Sequence, residues 1–284
     1  MPGPDLGARD EETAYAKINL ALHVRRRLPD GYHELETIFA FLDRGDGISV
    51  QSGESISLQI DGPFADGLST TDNLILRAAN RLAQHANVKR GAHLHLDKML
   101  PVASGIGGGS ADAAATLRLL NRFWQLDLPQ AELADVARPL GADVPACLAS
   151  RTCRGTGIGQ DLERILDTDL RGTVALLVNP LVPVSTAAIF AAWDGVDRGA
   201  LESGSPIESA RNGRNDLQDP AIALVPELTG LLRSLEECQP IVGRMSGSGA
   251  TCFALFDSVG DARMAERHCR KTMDRIWTMI GEIR

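Results

Sequence analysis

No stretch of this 284-residue chain approaches the roughly 20 consecutive apolar residues that a helix needs to cross a bilayer, which argues against a helical membrane span. Its opening dozen residues, MPGPDLGARDEE, are acidic and lack the apolar core of a secretory signal. Cys147, Cys153, Cys238, Cys252 and Cys269 form no C-x-x-C pair, so a structural zinc site is not expected. Contexts such as T-C-F-A-L-F suit a small core thiol, and the set reads as belonging to a reducing, cytoplasmic compartment. Positive charge is in deficit: 29 Lys and Arg stand against 37 Asp and Glu, a net of -8. That balance argues against nucleic acid or an acidic membrane as a partner, because nothing offsets repulsion from phosphates. Arg25-Arg26-Arg27 is the one tight basic run, and it reads either as a solvated turn or as a local anion contact.

Three familiar phosphate loops are missing as well. The glycine-rich run Pro101–Thr116, P-V-A-S-G-I-G-G-G-S-A-D-A-A-A-T, has no lysine after its glycines and so is not a P-loop. Ser110 stands where the last glycine of a dinucleotide G-x-G-x-x-G would be, and no serine lies within G-x-S-x-G. What the run does contain is a loop stripped of side chains at Gly105, Gly107, Gly108 and Gly109. Ser110 follows as a predicted helix cap, and Ala113, Leu117, Leu120 and Trp124 then recur at helical spacing. Backbone N–H groups in such a loop close on an anion while the positive end of the helix faces it, and a phosphate is the expected guest.

Around this loop the pattern is mixed. Residues 14–24 alternate, with Ala14, Ala16, Ile18, Leu20, Leu22 and Val24 on one face, and predict a strand. Strands are also expected around Leu35–Leu42, near Ile48–Ile60, and at Ala92–Leu96, Thr173–Val178, Ala250–Phe256 and Ile276–Ile280. Helices are expected after a cap at Asp72, after the glycine loop, and over Gln130–Leu140, Thr186–Trp193 and Asp261–Asp274, with another helical region opening at Asn215. Residues 195–213 read as a polar loop. Irregular alternation of the two element types predicts an α+β fold, with a domain boundary near 155–172.

Several polar residues stand out. Lys17 and Asn19 share a strand face, either as a solvent-facing edge or as a pair aimed at a ligand. Asp143, between Gly141-Ala142 and Val144-Pro145, is either a turn-former or a placed acid/base. Tyr32 and His33 follow the Asp30-Gly31 turn. His93 and His95 lie on one side of a strand with Asp97, a spacing compatible with a metal, but no further ligand of similar quality is near, and no metal site is assigned.

Taken together these pieces resemble the GHMP kinases. The resemblance rests on A-K-I-N-L at Ala16–Leu20, D-G-Y-H at Asp30–His33, the glycine loop, L-G-A-D-V-P at Leu140–Pro145 and R-M-S-G-S-G-A at Arg244–Ala250, in that order. It implies a two-domain α+β kinase whose N-terminal domain resembles the second domain of ribosomal protein S5, with the halves at 1–162 and 163–284. It also implies ATP, with Mg2+ carried by the ATP phosphates. The ATP site implied is Asn73, Pro101, Ser104, Gly105, Ile106, Gly107, Gly108, Gly109, Ser110 and Ala111. Lys17 and Asp143 are the implied catalytic pair. Asn19, Tyr32 and His33 would contact a small-molecule cytidyl diphosphate substrate. Another alcohol kinase of the same family, or an inactive nucleotide-binding regulator, are the alternative readings.

Overall fold

The computed structural model describes residues 10–284; the acidic opening stretch before Asp10 lies outside the described residues. Two compact units divide the chain. One comprises the residues up to Tyr15, Gly45–Leu100 and Gly108–Ala149, and the other Ala16–Arg44, Pro101–Gly107 and Ser150–Arg284. Two long paired strands, β1 (Asp10–Arg27) and β2 (His33–Gln51), contribute to both. Each is longer than its alternation suggests.

The first unit adds β3 (Ile56–Asp61), α1 (Leu74–His85), β4 (Ala92–Asp97), α2 (Gly108–Phe123), α3 (Gln130–Ala137) and α4 (Val144–Ala149). β4 lies parallel to β3 and antiparallel to the end of β2, with Leu94 opposite Val50 and Leu58. Leu94 and Leu96 fill the buried face. On the other face His93 Nδ1 lies 2.9 Å from Ser57 Oγ and His95 Nε2 lies 2.8 Å from Asp61 Oδ2, so both histidines are engaged by neighbouring strands. Among the described residues no group of three or more His, Cys, Asp or Glu is placed to hold a metal ion. α2 is apolar almost all round, with Ala111, Ala113, Ala114, Ala115, Leu117 and Leu120 buried, as suits a central helix. It packs against α1 and α4, and its small side chains allow both to approach.

The helix starts correct two sequence expectations. Asn73, not Asp72, caps α1, its Oδ1 accepting from Ile75 N at 2.9 Å. α2 begins at Gly108, so Ser110 lies inside the first turn instead of capping it. The positive φ of Gly105 (76°) and Gly107 (68°) completes the turn early, and the helix can start two residues sooner.

In the second unit, β5 (Cys153–Thr156) and β6 (Asp161–Arg164) form a hairpin through the glycine-studded stretch 155–159, and β5 pairs with β2. β7 (Val174–Asn179), α5 (Thr186–Ala192), α6 (Pro206–Asn212), α7 (Gln218–Leu224), α8 (Glu227–Glu236), β8 (Val242–Met245), β9 (Cys252–Phe256), α9 (Val259–Thr272) and β10 (Trp277–Glu282) follow. Their strands make an antiparallel sheet ordered β10-β7-β9-β8. Leu176, Val178, Ala254, Leu228, Leu231, Leu235 and Ala265 form its core. Burial pushes the Cys153 and Cys269 thiols up to about 12, as expected for small core residues. The polar loop expected over 195–213 contains α6, closed by a reciprocal cap between Ser205 and Glu208. No helix of the described residues is long and apolar enough to cross a membrane.

Candidate active site

In the second unit Lys17 and Asn19 are each only 3% exposed, so the solvent-edge reading fails. β1 is covered on both faces here, and a buried ammonium must be held by polar partners. Lys17 Nζ donates to Asn19 Oδ1 at 2.9 Å and lies 5.3 Å from the centre of the Phe39 ring. Asn19 Nδ2 donates to Thr37 Oγ1, which in turn donates to Ala21 O at 2.7 Å. The chain of donors fixes the amide, and its oxygen faces the lysine.

The glycine loop arrives on this strand directly. Lys17 N donates to Ile106 O at 3.1 Å, and Ser104 Oγ closes the loop's entry by donating to Pro101 O at 2.6 Å. Ser246, from the second glycine cluster, accepts from Asn19 N and donates to Gly105 O. Thr251 N donates to Ser104 O. Lys17, Asn19, Pro101, Ser104, Gly105 and Ile106 therefore belong to one hydrogen-bonded cluster with Ser246–Thr251, and Gly107 follows Ile106 in the same loop. Sequence reading gave no role to Asn215, whose Nδ2 donates to both Met245 O and Gly247 O at 2.8 Å and braces that cluster.

A second group surrounds the turn at Leu28–Tyr32. His33 is buried, while Tyr32 is 58% exposed at the tip. The His33 ring lies 4.9 Å from Phe190, tilted, and meets Trp193 edge-on at 5.7 Å. Arg27 Nε donates to His33 Nε2 at 3.3 Å. The basic run thus splits. Arg25 pairs with Asp197 and Glu36, Arg26 pairs with Glu34, and Arg27 serves the histidine. The result is an aromatic cluster around the imidazole, packed against the core of the second unit, with the Tyr32 ring exposed beside it. Sequence analysis gave Phe190 and Trp193 no role; Trp193 belongs to that core and Phe190 packs against it. α5 is also tied to the glycine cluster, Thr186 Oγ1 lying 2.9 Å from Ser248 Oγ.

The first unit holds the other predicted residues. Gly108, Gly109, Ser110 and Ala111 form the first turn of α2, where unsatisfied N–H groups suit an anion. Asn73 caps α1, the neighbouring Leu74 reaching within contact distance of Gly109. Asp143 is half-buried and immediately precedes α4, with its carbonyl accepting from Cys147 N at 3.0 Å. α4 was not expected; its mostly buried residues Val144–Leu148 give the carboxylate a rigid mount.

Comparison with known proteins decides the family. Residues 73–151 match the family model described as GHMP kinases N terminal domain, and 199–275 match GHMP kinases C terminal. The chain belongs to the GHMP kinases. This GHMP kinase is 48% identical to the 4-diphosphocytidyl-2-C-methyl-D-erythritol kinase of Sphingopyxis alaskensis over 98% of the chain and 100% of that protein. It is similar to a crystal structure of 4-(cytidine 5'-diphospho)-2C-methyl-D-erythritol kinase, with TM-score 0.76 and 32% identity over 95% of this chain and 99% of that one. A homoserine kinase from Cytophaga hutchinsonii superposes with TM-score 0.78 at 14% identity, over 100% of this kinase and 97% of that chain, and shows the shared fold.

Two histidines make the second unit sensitive to acid. Burial and Arg27 hold His33 below its ordinary value of 6.5, and burial and Arg214 do the same for His23. His23 Nε2 accepts from Arg214 N, and Nδ1 faces Gly199 O, so the neutral ring is built into the fold. The unfolded chain binds more protons below its pKa, so the stabilisation is complete above about pH 6.5 and lost as pH falls through the folded values. Glu36, held low by Arg154 and Arg25 against the opposing effect of burial, responds only at more acid pH. We expect the melting temperature to fall between about pH 7 and about pH 5.5, and the slope to flatten in His23→Gln, as read by thermal scans.

Proposed function

We propose that this enzyme transfers the γ-phosphoryl group of ATP to the 2-hydroxyl of 4-diphosphocytidyl-2-C-methyl-D-erythritol, as a cytoplasmic step of the non-mevalonate route to isoprenoid precursors. The observation that carries this reading is the D-G-Y-H turn, where an exposed Tyr32 stands beside a His33 held by Phe190, Trp193 and Arg27. Tyr32 offers a ring face to a cytosine. The names of the relatives at high coverage support the same substrate.

In the proposed reaction the protein positions groups and stabilises migrating charge. Gly105–Ala111 and the start of α2 hold the ATP phosphates, with Pro101 and Ser104 shaping the loop and Asn73 near the base. Ser110 would reach the magnesium carried by the phosphates, which would supply neutralisation of their charge. Asp143 takes the proton of the attacking hydroxyl, and Lys17 stabilises the developing negative charge. Asn19, Tyr32 and His33 hold the cytidyl substrate. The ATP-binding half is taken as residues 1–162 and the C-terminal half as 163–284.

The test is an assay coupled to ADP release, with the cytidyl alcohol, mevalonate and homoserine as acceptors. Turnover confined to the cytidyl alcohol supports the proposal. Preference for either rival would assign a different member of the family, and ATP binding without any ADP release would indicate a regulator. In the same assay Tyr32→Ala and Phe190→Ala should raise KM for the cytidyl substrate more than they lower kcat. Base stacking is worth roughly 1–3 kcal/mol in single-stranded nucleic-acid complexes, which sets a scale of about 5–150-fold.

A further inference from the structure

Within the first unit, three ionisable side chains are buried together where no catalytic role has been assigned. Lys98 Nζ donates to Asp46 Oδ2 at 2.6 Å and to Asp112 Oδ2 at 2.7 Å. The side chains of Lys98, Asp46 and Asp112 are 4%, 0% and 6% exposed. Asp46 Oδ1 accepts from Met99 N at 2.6 Å and Leu100 N at 2.7 Å. Burial pulls the Lys98 ammonium down, but Asp112 and Asp46 outweigh it and keep it charged. Asp112 Oδ1 is buried without a hydrogen-bond partner.

Removing such ionisable groups from water is costly, and apolar side chains of similar volume would stabilise a fold at least as well. What the hydrogen-bonded group supplies is direction. It ties the residues entering the glycine-rich segment, Lys98–Leu100, to those leaving it, Gly108–Asp112. The ammonium lies directly behind the first residue of α2: a β-carbon added at Gly108 would come within 3.1 Å of Lys98 Nζ. We infer that Lys98 and Asp112, anchored by Asp46, are positioning residues for ATP, holding the first turn of α2 so that its N–H groups face the phosphates.

The inference rests on Gly108–Ala111 forming part of the ATP site, and direct binding separates the two ideas. Asp112→Ala removes the second acceptor of Lys98 while leaving the neutral Lys98–Asp46 pair, and alanine suits a helix. Asp112→Asn keeps an acceptor oxygen of the same reach. Binding of ATP with Mg2+ is measured by titration calorimetry, alongside steady-state kinetics. Asp112→Ala should raise both Kd and KM for ATP about tenfold, with KM for the cytidyl substrate and kcat at saturation within about twofold. Asp112→Asn should restore ATP affinity to within about twofold of the parent enzyme. If Asp112→Ala fails to fold, Asp112→Ser, which shortens the side chain but keeps a polar atom, carries the same readout. A lowered melting temperature with unchanged ATP affinity, or equal rises in both KM values, would overturn the inference in favour of a merely structural clasp. Failure of Asp112→Asn to rescue would overturn it too, by assigning the effect to charge. If the parent enzyme binds no ATP, the ATP-site reading fails with it.

Discussion

Asp143→Asn should lower kcat by about 10²–10⁴-fold, the usual range for loss of a general base, while the Kd for ATP stays within about twofold. The substitution keeps size and shape and removes only the group that can take a proton. The backbone bond that opens α4, from Cys147 N to the carbonyl of Asp143, is kept. Val144, Pro145 and Ala146 remain buried behind it. The melting temperature should therefore stay near that of the parent enzyme. Because the interaction is made in the transition state, kcat and kcat/KM for the alcohol should fall together. Steady-state kinetics, nucleotide titration and a thermal scan on one preparation check all three parts. Near-normal turnover would remove Asp143 from the proton-transfer role, and a collapse of ATP binding would make it part of the nucleotide site.

What sequence could say about this site follows from the range over which each signal acts. The glycine loop, the D-G-Y-H turn and the mixed element order are local, and they were legible because glycine, proline and the alternation period act over a few residues. Partnership across distant segments was not. Lys17 and Asn19 looked like an edge because alternation reports a covered face but not a second cover. Only Ser246, 227 residues further on, and Ile106 reveal that the polar face is enclosed. Asn215 read as the start of a helix, and its brace on Met245 and Gly247 depends on a strand not foreseen in a glycine-rich stretch. Phe190 and Trp193 were hidden for a different reason. Aromatics on a short helix have the same pattern whatever they pack against, and only their ring distances show that His33 is a partner.

The same long-range cluster makes one glycine far more demanding than its neighbour. Gly105→Ala should destabilise the enzyme by about 2–4 kcal/mol and reduce kcat/KM for ATP and the cytidyl substrate together. At φ +76° an L-residue is already strained, and its β-carbon would stand 2.4 Å from Ser246 O and 2.7 Å from Gly249 N. Those are backbone atoms, so relief requires the two glycine segments to part. The hydrogen bond from Ser246 Oγ to Gly105 O would then fail, and Ser246 also accepts from Asn19 N, whose side chain holds Lys17. The damage thus reaches the lysine as well as the loop. At about 2–4 °C per kcal/mol, the melting temperature should fall by roughly 5–15 °C. Gly109→Ala is the control: its β-carbon would meet only Leu74 Cδ1, at 3.5 Å, an ordinary contact. Its melting temperature should hold while ATP affinity drops, because the methyl occupies the anion-facing turn without parting anything behind it. If both alanines melt alike, the close approach of Gly105 to the second glycine cluster is not what holds the loop.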